Sequence, residues 1–332
     1  MTVGQTRTVR IAGVGSYVPP AVLTNADLEK MVDTSDAWIV ERTGIRERHI
    51  AAKEVATSDL AREAAVACLS RAGVPSSEID LIIVATASPD HLFPATACIV
   101  QNAIGATKAA AFDMEIGCTG FIYALATGSQ FVASGAYDNV LVIGSETLSR
   151  LVNWNDRTTC CLFGDAAGAV LLRPGDEEGR GIIGFHLGSD GSGKDTLKLE
   201  AGGSRTPASA FTVDEGLHYI HMEGKAVFKF AVKTLDAAVT KVLEKCGKRP
   251  EDIDLLVPHQ ANLRIIDSAC ERFDIPRERV MVNIEKYGNT SSASVPLALD
   301  EALAAGRMKP GDLVVLVAFG AGLSYGAAAI VW

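Results

Sequence analysis

The second half of this chain repeats the first. Ile253-Asp-Leu-Leu-Val257 echoes Ile79-Asp-Leu-Ile-Ile-Val84, and the two aspartates, Asp80 and Asp254, lie 174 residues apart. Each segment follows a long helical pattern and a proline-containing link: Thr57 to Ala72 with Gly73 and Pro75, then Glu223 to Cys246 with Gly247 and Pro250. Gly288-Asn289-Thr290 echoes Gly117-Cys118-Thr119 at an offset of 171, and Leu313-Val-Val-Leu-Val317 echoes Val140-Leu-Val-Ile143 at 173. Unrelated βα units share a strand-then-helix pattern but have no reason to share an offset. Three echoes at nearly one spacing therefore point to an internal duplication about a pseudo-twofold axis.

The repeated units read as α/β. Ile79–Val84, Val140–Ile143 and Ala167–Leu172 are uninterrupted apolar runs, as expected of strands buried on both faces of a sheet. Val9–Ser16 reads as a first strand. Its Gly13-Val-Gly15 lacks a third glycine, and Tyr17-Val-Pro-Pro20 stands where a nucleotide-binding helix would begin, so a dinucleotide loop is rejected. Residues 25–32, 35–42 and 95–104 read as further helices. The charged, glycine-bearing turn from Pro174 to Gly181 is the natural seam, giving halves 1–175 and 176–332.

Several function classes drop out on composition. The net charge of −9 argues against a general nucleic-acid surface. No apolar run reaches the length of a membrane span, and Met1 to Arg10 lacks the apolar core of a signal peptide, so a cytoplasmic protein is expected. Seven scattered cysteines without C-x-x-C spacing give neither a disulfide framework nor a metal site. His218 and His221 form H-x-x-H without a third ligand and read as surface polar residues. No metal is expected.

Cys118 is the residue with chemistry to offer. Phe121, Ile122, Leu125 and Ala126 recur at helical spacing, so a helix begins at or just after the cysteine. Unpaired N–H groups there and the positive end of the helix dipole favour thiolate. Cys118 should then be the only fast-reacting thiol, since Cys68, Cys98 and Cys270 fall within helical patterns. Taken alone, it reads more readily as a buried structural cysteine. The duplication changes that balance, because a pseudo-twofold sets the openings of the helices after Cys118 and Asn289 against one another. Val257-Pro-His-Gln-Ala-Asn262 adds His259 at the carboxyl end of a strand, where open α/β sheets bind ligands.

Together, Gly-Cys118-Thr-Gly-Phe, His259-Gln-Ala-Asn, Gly-Asn289-Thr-Ser-Ser-Ala-Ser and Phe319-Gly-Ala-Gly-Leu-Ser-Tyr-Gly resemble β-ketoacyl-[acyl carrier protein] synthase III. The resemblance runs the length of the chain, taking in Asp33-Thr-Ser-Asp-Ala-Trp-Ile-Val-Glu-Arg-Thr-Gly-Ile-Arg46 and Leu162-Phe-Gly-Asp-Ala-Ala-Gly168. It implies the thiolase-like fold, with two duplicated halves in an αβαβα arrangement, and a homodimer. It also implies condensation of an acyl-CoA primer with malonyl-[acyl carrier protein], releasing CoA and CO₂, with the CoA thioester as substrate and no cofactor.

The resemblance assigns roles as well. Cys118 would carry the acyl group. His259 and Asn289 would donate to the enolate oxygen, and the backbone N–H groups of Cys118 and Ala321 to the tetrahedral oxyanion. Thr34, Trp38, Arg42, Arg157 and Asn262 would hold CoA, with Trp38 and Arg157 stacking on its adenine. Phe93, reaching across the dimer interface, and Phe319 would line the acyl pocket. Lys225, Lys229 and Arg264 would dock the carrier protein, although Lys225 stands where the family commonly has asparagine. Lys225, Lys229 and Lys233 share one helix face, which by itself is an ordinary solvated stripe. Three other readings stay open. One is a related acyltransferase, or a condensing enzyme of secondary metabolism. Another is a hydroxymethylglutaryl-CoA synthase or thiolase, each needing an acid or a second cysteine at the centre. The last is an inactive scaffold.

Overall fold

A computed structural model describes residues 7–175 and 179–332. Residues 1–6 and 176–178 lie outside it, and with them most of the N-terminal segment weighed as a leader and the middle of the Pro174–Gly181 seam. The first sheet comprises β1 (Val9–Tyr17), β2 (Leu81–Ala85), β3 (Ala110–Met114), β4 (Val140–Thr147) and β5 (Asp165–Pro174), in the order β1-β5-β4-β2-β3. The second comprises β6 (Gly181–Ser189), β7 (Leu255–Pro258), β8 (Leu313–Gly320) and β9 (Ser324–Val331), in the order β7-β8-β9-β6. Read from the other edge, the second order repeats the first. The missing fifth strand survives as a single parallel bridge between Leu256 and Val280.

The helices follow the same plan: α1 (Thr57–Ala72), α2 (Thr96–Ala103) and α3 (Gly120–Ala133) are matched by α4 (Gly224–Cys246), α5 (Leu263–Phe273) and α6 (Ser294–Ala304). Alternation along the strands sorts them into layers. In β2, Leu81, Ile83 and Ala85 face a central core shared with α3 and α6, while Ile82 and Val84 face α1 and α2. In β8, Val314, Leu316 and Ala318 join that central core, whereas Leu313, Val315 and Val317 meet α4 and α5. The result is αβαβα, with the two buried helices α3 and α6 sandwiched between the sheets.

Register fixes the repeat at 174 residues. Leu81 pairs with Val140, and Leu255 with Val314. Beyond them the second half is shorter, so the strands pairing with the matched Gly144 and Ala318 do so through Gly168 and Gly326, only 158 residues apart. The turns Gly117–Thr119 and Ser291–Ala293 lead into α3 and α6, and their first residues both take left-handed φ, +49° and +48°. Cys118 therefore matches Ser292, and Asn289 matches Glu115. The 171-residue alignment of Cys118 with Asn289 is three residues out of step. A glycine–polar–threonine triplet recurs in the sequence, but Gly288 closes the short helix Ile284–Tyr287 instead of opening the turn.

Candidate active site

The turn bearing Cys118 does start a helix, and the close packing around it explains its glycines. A side chain on Gly320 would put a Cβ 2.7 Å from Cys118 N, and one on Gly117 would meet Ala321 N at 3.2 Å. The amides of Cys118 and Ala321 are thus drawn together at the ends of two turns. Each is the kind of early-turn N–H that has no acceptor within its own helix. The thiol itself does not behave as the dipole argument predicts. Burial pushes Cys118 up to about 12, against the opposing effect of hydrogen bonds from Ser291 and from its own amide. With 9% of its surface exposed, Cys118 loses more by desolvation than the turn returns. It rests as a thiol.

His259 follows β7, where the chain turns off the sheet, and its N–H donates to Val317 O at 2.8 Å. Its ring packs edge-on to Phe319, centroids 5.3 Å apart, and its Nδ1 lies 2.6 Å from Ser294 Oγ. Burial with no charged partner pushes the imidazole down to about 3, so it is neutral. Asn289 is held at both ends of its backbone: its N–H donates to Leu162 O at 2.8 Å and its carbonyl accepts from Gly164. The Asn289 Oδ1 accepts from Ser291 N–H at 2.9 Å, which leaves the Nδ2 amide as the group free to donate. Cys118, His259 and Asn289 line one cavity of about 130 Å³ with Phe228 and Phe319. Among the described residues no cluster of three or more metal-binding side chains occurs.

Three residues that sequence reading missed support this centre. Ser291 holds a strained left-handed φ and contacts both Cys118 and Asn289. Ser294 touches His259. Glu146, fully buried at the end of β4, takes Ser88 Oγ at 2.6 Å and Ser292 Oγ at 2.8 Å, and burial raises its pKa. Ser292 Oγ also lies 2.8 Å from Ala85 O, an obligate acceptor. A single Glu or Ser in an apolar segment carries no pattern that would have drawn attention to it.

The residues assigned to CoA divide. Trp38 and Arg42 sit on the helix Asp36–Thr43, capped by Ser35 and closed by Gly44, which abuts Leu263 at the start of α5. Both Arg42 and Arg157 place guanidinium carbons on the Trp38 ring, 4.9 and 5.3 Å from its centre, and Arg157 donates to Asp33 O at 2.8 Å. A ring stacked between Trp38 and Arg157 would need roughly 7 Å, two contacts of about 3.5 Å, more than the 5.3 Å that separates them here. Thr34 Oγ1 is buried without a hydrogen-bond partner among the described residues. Asn262 lines the cavity, but its Oδ1 caps α5 at Arg264 N and its Nδ2 donates to Arg42 O, so both polar atoms are engaged.

Phe319 is buried and lines the cavity, whereas Phe93 is not among its lining residues and is 85% exposed. Lys225, Lys229 and Arg264 are exposed, and Arg264 lies 5.5 Å over the Phe228 ring at the cavity mouth. Cys98, expected to be sheltered in its helix, is exposed, because it lies on the outer face of α2.

Comparison with known proteins gives the family. Family models described as 3-oxoacyl-[acyl-carrier-protein (ACP)] synthase III, and as its C-terminal part, match residues 112–191 and 243–332. A β-ketoacyl-[acyl-carrier-protein] synthase III of Caldanaerobacter subterraneus subsp. tengcongensis is 57% identical over 97% of both chains. One from Symbiobacterium thermophilum is 58% identical over 98% of both. The crystal structure of the Thermus thermophilus synthase III superposes with a TM-score of 0.91 at 48% identity, covering 97% of this chain and 99% of that one.

Proposed function

The chain belongs to the β-ketoacyl-[acyl-carrier-protein] synthase III family, and from that premise we propose that Cys118, His259 and Asn289 divide the family's reaction between them. The enzyme is an acyltransferase that condenses an acyl-CoA primer with malonyl-[acyl carrier protein], the opening condensation of fatty acid synthesis. The observation that carries the division of labour is the meeting of a thiol and two neutral donors around one small cavity, with the turn that bears the Ala321 amide packed against the cysteine turn.

In the first half-reaction the Cys118 sulfur bonds to the acyl carbonyl carbon, the bond to CoA sulfur breaks, and the thiol proton leaves with CoA as its free thiol. Proton number is unchanged, so a thiol resting well above neutrality is compatible with the exchange. The Cys118 and Ala321 amides stabilise the oxyanion. In the second, the malonyl carboxylate leaves as CO₂ and negative charge moves onto the thioester oxygen. A neutral imidazole and an amide donate to that oxygen without taking up a proton. The α-carbon then bonds to the acyl carbon, the bond to Cys118 breaks, and the sulfur takes up one proton from solvent, the proton that decarboxylation of a carboxylate consumes overall. Each step balances without a cofactor.

Trp38, Arg42, Arg157 and Thr34 would hold the CoA end, with Asn262 exchanging one internal hydrogen bond for the ligand. Leu92 and Phe93, 82% and 85% exposed, suit burial against a second copy of the chain, where Phe93 would line the partner's acyl pocket. Lys225, Lys229 and Arg264 offer cations to an acidic carrier protein. We place the enzyme in the cytoplasm, with its CoA and carrier-protein substrates. The test is stoichiometry: one CO₂ released per 3-oxoacyl product. Acyl transfer from CoA without CO₂ release would replace this reading with that of a non-decarboxylating acyltransferase.

A further inference from the structure

The pseudo-twofold makes the partner of His259 informative. Position 259 matches Ala85, and position 294 matches Gly120, at the common offset of 174. In the first half these positions are so close that a Cβ on Gly120 would lie 3.1 Å from the Ala85 Cβ. The fold thus sets the end of one strand against the first residue of the buried helix in each half. In the second half, that juncture holds an imidazole and a hydroxyl 2.6 Å apart, both 1% exposed. We infer that Ser294 is a positioning residue that fixes the tautomer of His259, donating its hydroxyl proton to Nδ1 so that Nε2 carries the hydrogen facing the cavity.

The inference is one of hydrogen-bond accounting. Nδ1 of His259 is the only polar partner of the Ser294 hydroxyl among the described residues. Were Nδ1 to carry the hydrogen, Ser294 Oγ would accept, and its own proton would be buried without an acceptor, an arrangement proteins avoid. With Ser294 donating, every group at the juncture is satisfied, and the one hydrogen left over is on Nε2. Which ring nitrogen is protonated is set by the bond the other makes. The Phe319 ring beside the imidazole restricts its rotation. A hydroxyl is also the suitable partner here. A carboxylate at Nδ1 would require the hydrogen on that nitrogen and leave Nε2 a base.

This rests on the proposed role of His259 as a donor to the enolate, so the test separates the two. Nitrogen-15 NMR of histidine-labelled enzyme, with His259→Ala identifying the signal, reads the tautomer without reference to activity. Ser294→Ala and Ser294→Cys, the latter keeping a weak donor of similar size, are then assayed in both half-reactions. The expected result is a protonated Nε2 in the wild type and a mixture of tautomers in Ser294→Ala. Malonyl decarboxylation should fall about 10- to 100-fold in that variant, the scale of losing an orienting partner. Acylation of Cys118 should stay within about threefold, since it makes no demand on His259, and Ser294→Cys should lie between. A wild-type spectrum with hydrogen on Nδ1 overturns the inference, as does a Ser294→Ala enzyme that decarboxylates normally or loses both half-reactions equally. Undiminished decarboxylation by His259→Ala would instead overturn the donor role, leaving the tautomer to be judged from the spectrum.

Discussion

Alanine in place of Gly320 tests how tightly the nucleophile is framed. Gly320 is extended, at φ −170°, so space and not backbone freedom is what its missing side chain provides. A Cβ would lie 2.7 Å from Cys118 N and 3.2 Å from both its Cα and Cβ. Carbon contacts settle at about 3.5–4.0 Å, so the two backbones must part by roughly 0.5–1 Å. The atoms in the way belong to a buried turn, and none is the end of a flexible side chain. Overpacking of this kind costs about 1–3 kcal/mol, which lowers the melting temperature without unfolding the protein. The same shift separates the Cys118 and Ala321 amides from the oxyanion. A displacement of about 1 Å costs roughly 10²-fold, and a lost donor about 10²–10³. Acylation of Cys118 by acyl-CoA, followed by quenched flow and intact mass, should therefore slow by about 10²-fold, with a circular dichroism melt confirming the fold. A folded Gly320→Ala enzyme that acylates within about threefold of wild type would refute the assigned oxyanion site.

Other outcomes follow from the same geometry. His259→Ala and Asn289→Ala should each reduce malonyl decarboxylation by roughly 10²–10³ and acylation much less; equal losses in both half-reactions contradict the separation. With its thiol near 12, Cys118 has a thiolate fraction of about 10⁻⁵ at pH 7, so its alkylation rate should rise about tenfold per pH unit from 7 to 9; peptide mapping after iodoacetamide reads this, and a plateau in that range contradicts it. The exposed Cys98 should be labelled alongside. Lys229→Glu with Arg264→Glu should raise KM for malonyl-[acyl carrier protein] several-fold, more at low salt, and leave acylation by acyl-CoA unchanged, because rim charges act on encounter and are screened. Wild-type kinetics in low salt would reduce that patch to a solvated face.

Much of this was legible before any coordinates. Thr57–Ala72 is bounded as its pattern predicts, since its opening residues and Gly73 punctuate the chain locally. The cysteine turn and the histidine at a strand end follow from local periodicity too. The alignment of the halves did not, because strand register is a long-range property: Leu255 opposite Val314 cannot be read from either segment. The thiol's protonation escapes the sequence for a similar reason. A helix start is visible in sequence, while the desolvation that outweighs it depends on packing from the other half. Ser291 and Ser294 were invisible because serines in an apolar, small-residue stretch look alike until a partner is known.

The central claim is that Cys118 carries the acyl group between CoA and the malonyl carbanion. Mixed with an acyl-CoA alone, the enzyme should gain one acyl mass, localised by peptide mapping to Cys118, with one equivalent of CoA released. Adding malonyl-[acyl carrier protein] should remove that mass as 3-oxoacyl product and CO₂ appear together, at a rate no slower than turnover. An acyl group found on another residue, or condensation by Cys118→Ala, would contradict the account.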